Sequence, residues 1–119
     1  KFRQGTSRAG TRPRKTFRDI RRQALVVGVG MITFRLHECR SLKSKRKIVK
    51  SVIGKMRSRF NLSAAETGAN DIHQRAEIGF ALVGNSAPVI NSKIDKVFNM
   101  VDELGVAEIV DTEMEIIHI

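Results

Sequence analysis

What most constrains this chain is how the spacing of its apolar residues changes along its length. Residues 25–36 are β-branched and apolar and end in alternation, with Ile32, Phe34 and Leu36 on one side and Thr33 and Arg35 on the other. A period of two gives a strand with one buried face. From Ser41 the period lengthens: Leu42, Val49, Val52, Ile53, Met56 and Phe60 fall on one helical stripe, so Ser41 caps a helix running to about Asn61. Residues 62–67 read as a short strand and residues 68–71, Gly-Ala-Asn-Asp, as a turn. Residues 76–84 alternate again, turning Ile78, Phe80 and Leu82 to the core. Ser86, with Pro88 in the first turn, opens a second helix whose stripe is Val89, Ile90, Ile94, Val97, Met100, Val101 and Leu104, and Gly105 ends it. Residues 106–119 form a last strand, with Val110, Thr112, Met114 and Ile116 on one face and Asp111, Glu113 and Glu115 on the other.

The order βαββαβ predicts an α+β fold of the ferredoxin-like split βαβ type. Four antiparallel strands then form one sheet with both helices on one face. Val49, Met56, Ile78, Phe80, Ile94 and Val97 are expected in its core. A chain of 119 residues suits a single domain, which we place at residues 25–119.

Residues 1–24 have another character: nine basic residues, Gly5, Gly10 and Pro13, and few apolar side chains. Thr16 suits the cap of a short helix over residues 17–21, too short to be stable alone. The segment reads as a basic, disordered N-terminal extension that orders on RNA, or as a vector-derived remnant.

Charge is as polarised as pattern. Residues 1–59 hold 19 Lys and Arg against two acids, Asp19 and Glu38, whereas residues 60–119 hold three against ten. That leaves +17 in the first half and −7 in the second, within a net charge of +10. Such a chain presents a cationic surface to an anionic partner, of which nucleic acid is the commonest. In the first helix, Lys43, Arg46, Lys47, Lys50 and Arg57 fall within about 100° of arc. Lys45, Lys55 and Arg59 are expected to flank the other side, and no acid occurs from Cys39 to Ala65. Surface helices ordinarily mix acids with bases for i,i+4 pairs. A partner rich in phosphate accounts for their omission, whereas a solvated face has no need of it.

Other function classes find less support. The longest apolar runs are too short to span a membrane, and residues 3–22 are too polar for a secretory core. Cys39 is the sole cysteine, so an internal disulfide is excluded and a reducing cytoplasm is the expected compartment. The three His residues have no metal-ligand spacing, and neither a metal nor a cofactor is called for. Gly28-Val-Gly30 lies inside a strand rather than at a strand-to-helix turn, so it is not a phosphate loop. Residues 77–83 bear some likeness to the stacking strand of an RNA-recognition motif, but Phe80 alternates toward the core. A polar group gathers around the turn between the second and third strands: Glu66, Asp71, His73, Gln74 and Arg75, with His37 counted among its candidates. It reads either as capped turn residues or as a small-molecule or phosphoryl site.

Several motifs occur in order: Val26-Val-Gly-Val, Leu36-His37, Ser41-Leu-Lys-x-Lys-Arg46, Arg59-Phe-Asn61, Ala65-Glu66, Asp71-x-x-Gln-Arg-Ala76 and Gly84-Asn85. Over about residues 26–119 the chain resembles the small bacterial YlxP-like family of unknown function. The resemblance implies a ferredoxin-like fold. It also implies a role in translation or ribosome maturation, because family genes often adjoin those of an initiation factor and a ribosome-binding factor. It supplies no catalytic residues. His73 stands where the family often has an aromatic, which weakens any stacking role there.

The expected function is therefore a non-enzymatic RNA- or ribosome-binding accessory protein. Lys43, Arg46, Lys47, Lys50 and Arg57, with Arg75, would meet phosphates. The alternatives are a small enzyme or ligand-binding domain at Glu66, Asp71, His73 and Arg75, and an oligomerisation module. The last would pair as a homodimer through a sheet face or edge.

Overall fold

The computed structural model describes residues 13–16 and 24–119. The rest of the N-terminal extension, including the helix expected over residues 17–21, lies outside the described residues. The elements run β1 (Val26–Arg35), α1 (Leu42–Arg59), β2 (Ser63–Gly68), β3 (Arg75–Gly84), α2 (Ala87–Leu104) and β4 (Glu108–His118). The strands form one antiparallel sheet in the order β2-β3-β1-β4. The α+β architecture is thus the one expected, with β1 and β3 central and β2 and β4 at the edges.

Local chemistry sets the boundaries. Ser41 Oγ accepts from Ser44 N at 3.1 Å to cap α1, and Ser86 Oγ accepts from Val89 N at 3.5 Å to cap α2. Gly105, at φ 64°, takes the left-handed conformation that closes α2. The helices cover one face of the sheet, packing over Ile32, Phe34, Ile78, Phe80 and Leu82. All six expected core residues are buried. Gly28 and Gly30 face the helices. A Cβ on Gly28 would stand 2.4 Å from Ile90, and one on Gly30 would stand 2.4 Å from the Phe80 ring. The Gly-Val-Gly run therefore exists so that α2 and Phe80 can lie close on the strand. Phe80 in turn meets Phe98 edge-on, with centroids 5.7 Å apart.

Three expectations are corrected. Lys45, placed on an exposed flank of α1, is fully buried at 0% exposure among Val49, Val52 and Met56, while Leu42, Ile53 and Phe60 sit only at the margin. Val89 is exposed, one residue and so about 100° round α2 from the buried Ile90. On β4 the simple alternation fails at a bulge: Thr33 pairs with Asp111 but Phe34 with Ile109. Val110 is the extra residue and is exposed, and Ile109 takes the inward position opposite Phe34.

Candidate functional site

The outward face of α1 is built by exclusion. Its buried stripe is Lys45, Val49, Val52 and Met56, and the opposite arc presents Lys43, Arg46, Lys47, Lys50 and Arg57, all exposed. Among the described residues, none of the first four makes an ion pair, since α1 contains no acid to offer one. Arg57 is partly engaged: its Nη2 donates to Ala64 O at 2.7 Å, bridging α1 to the edge strand β2. A groove of about 480 Å³ runs along this junction, lined by Arg46, Lys50 and Arg57 on one wall and Ala64, Ala65 and Glu66 on the other. Gly54 carries no Cβ and nothing lies within 4 Å of where one would be, so the basic face stays uncluttered there.

Arg75 is not part of this surface. It opens β3 on the face of the sheet away from the helices, opposite Arg35 and 3.5 Å from Glu77. That open face has a regular composition. Its rows across the sheet are Val83–Val27–Ile117, then Ser63–Ala81–Val29–Glu115, then Ala65–Gly79–Met31–Glu113. Among the described residues no aromatic side chain lies on it, because Phe34 and Phe80 point to the helices. It lacks the stacking platform of an RNA-recognition motif.

The polar group at the β2–β3 turn resolves differently from its sequence spacing. Glu66 turns toward the helices, where its Oε2 stands 2.8 Å from Lys45 Nζ. The same ammonium donates to Ile72 O at 2.8 Å and to Ala69 O. Three acceptors thus surround a cation with no access to water. Glu66 Oε2 is held by this charge contact rather than by a directed hydrogen bond. Lys45 binds the turn by its backbone, including Ala69 at φ 57°, and leaves Asp71, His73 and Gln74 with no side-chain hydrogen bond among the described residues. Gln74 contributes its carbonyl to Leu36 N at 2.9 Å. His37 points elsewhere, its Nε2 donating to Glu108 Oε1 at the start of β4. That hydrogen bond, opposed by desolvation and helped by the His37 and Arg35 charges, holds the Glu108 carboxyl below its ordinary value. The expected residues therefore separate into a Lys45–Glu66 clamp, a His37–Glu108 pair and a solvated turn.

Sequence reading missed Lys45. The signal was present: Lys45, Val49, Val52 and Met56 stand at i, i+4, i+7 and i+11, one continuous helical stripe. No group of His, Cys, Asp or Glu suited to holding a metal occurs among the described residues. Within them, no helix is long and apolar enough to cross a membrane.

This α+β chain, with its buried lysine clamp and bare basic helix, belongs to the DUF503 family, described as "Protein of unknown function", whose model matches residues 27–114. It is also similar to the uncharacterized protein YlxP of Bacillus subtilis strain 168, at 29% identity over 80 residues. That match covers 67% of this chain and 87% of the relative.

Proposed function

We propose that this protein is a non-enzymatic, cytoplasmic RNA- or ribosome-binding accessory factor in translation or ribosome maturation, meeting phosphates through α1. The observation that carries this reading is the segregation of charge on one helix. Lys45, the one buried base of α1, is turned inward and neutralised by Glu66, and among the described residues the remaining bases of α1 face outward without an ion pair. Concentrated, unpaired cations on a fixed helical scaffold suit closely spaced phosphates, whose counterions they release. The absence of open-face aromatics favours backbone contact over base stacking. The enzyme reading gains nothing comparable, because Glu66 is already committed to Lys45 and, among the described residues, no side-chain hydrogen bond or ion pair unites Asp71, His73 and Arg75.

Binding of a ribosomal RNA hairpin as a function of salt tests this. Changing Lys43 and Lys47 to Gln removes two outward cations, so the slope of log K against log salt should flatten by about 1.4–1.8. An unchanged slope removes α1 from the interface.

A further inference from the structure

We infer that the open sheet face is a homodimer interface, joined by a two-fold axis running parallel to the strands. Among the described residues, nothing covers the face of the sheet away from the helices. Val83 is 64% exposed and Ile117 38% exposed, in one row with Val27, and a depression of about 520 Å³ floored by Gly79, Ala81 and Ala65 lies beside them. The 37 residues of the four strands (10, 6, 10 and 11) span roughly 600 Å² in projection at ~3.3 Å per residue and ~4.8 Å between strands. A stable interface needs about 800 Å² of corrugated accessible surface per partner, which is of the same order.

Charge selects both the partner and the symmetry. One border of the face is acidic, with Glu113 and Glu115 on β4; the other is β2, behind which stand Arg46, Lys50 and Arg57. Ala64 and Ala65 line both the open-face depression and the basic groove, so the two are continuous around the β2 edge. Two aligned face-to-face arrangements exist for a sheet ordered β2-β3-β1-β4. An axis across the strands lays β4 on β4 and sets acid against acid. An axis along them lays β4 of each copy over β2 of the other, and β1 over β3, so that Val27, Val29 and Met31 meet Val83, Ala81 and Gly79. Glu113 and Glu115 then approach the mouth of the basic groove twice, once at each border. Edge-to-edge pairing fits less well. β4 against β4 would bring Asp111, Glu113 and Glu115 beside their own copies, and Arg57 already occupies a β2 carbonyl. The dimer leaves both α1 helices on its outer layers, with Lys43 and Lys47 free.

Sedimentation velocity on the full chain, treated with nuclease and free of RNA, tests the inference. The wild type should sediment at twice 13.3 kDa. Val83→Glu, at an exposed position, and the double change Glu113→Lys with Glu115→Lys should each give the monomer. Adding Lys50→Glu and Arg57→Glu to the latter should restore the dimer. A monomeric wild type, or a dimer unmoved by Val83→Glu and by the charge reversal, overturns it. The RNA reading is tested separately, by the salt slope of the variant at Lys43 and Lys47, neither of which the dimer experiment alters.

Discussion

Lys45 has given up its hydration, and an ammonium pays that cost only when its donors are met. Here two turn carbonyls and Glu66 meet them, so the side chain acts as a tie between α1 and the β2–β3 turn. Breaking the tie from one side strands the other partner. Lys45→Met leaves a largely buried carboxylate and two carbonyls without their cation, and should lower stability by about 3–5 kcal/mol. The double change Lys45→Met with Glu66→Leu should recover part of this, leaving about 1–3 kcal/mol for the carbonyls. Denaturant midpoints at constant slope check both. At the start of β4, the exposed Glu108 carboxyl lies below its ordinary 4.5 through its bond from His37. A depressed carboxyl contributes stability above its unfolded range and loses it as pH falls through the folded value. Titration by carbon-detected NMR should therefore find Glu108 ionising below 4.5, and His37→Ala should return it toward that value. Residue type hid Lys45: a pattern that scores apolar side chains reads a lysine as surface, and only its position on the stripe gives it away.

Elements were legible where period and cap agree. Ser41, Ser86 and Gly105 mark helix ends by hydrogen-bonding and conformational preferences that act within a few residues. The alternation of Ile78, Phe80 and Leu82 identifies the buried face of β3. The bulge on β4 was not legible, because an edge strand paired on one side tolerates an extra residue without changing its composition. The tight seat of α2 on β1 was visible only as two glycines of unstated purpose. It makes a sharp contrast between positions. Gly28→Val would drive a Cβ to 2.4 Å from Ile90 and should destabilise by about 1–3 kcal/mol or more. Gly54→Ala meets nothing within 4 Å on an exposed helical position and should stabilise by about 0.5–1 kcal/mol. Thermal or denaturant unfolding of the two variants should move in opposite directions.

At the scale of the molecule, the charge imbalance seen along the chain becomes a spatial one. Bases occupy the outer face of α1 and the groove beside β2, while acids line β4 at the opposite edge of the sheet. The candidate basic face could be read from sequence because helical geometry fixes which side chains share an arc. The separation of Arg75 from it could not, since that depends on which face of the sheet the helices cover. The hairpin group likewise looked continuous in sequence but divides between the two faces and the solvent. Co-sedimentation with small ribosomal subunits, using the chain of residues 25–119, tests the central claim most directly. Eight exposed basic residues remain between Arg40 and Arg59 in that chain, Lys45 being buried. It should still travel with the subunits at low salt, and changing Lys43, Lys47 and Lys50 together to Gln should release it, with stability held within about ±0.5 kcal/mol. Loss of binding on removing residues 1–24, or undiminished binding by the triple variant, would contradict the assignment of α1 as the RNA-binding face.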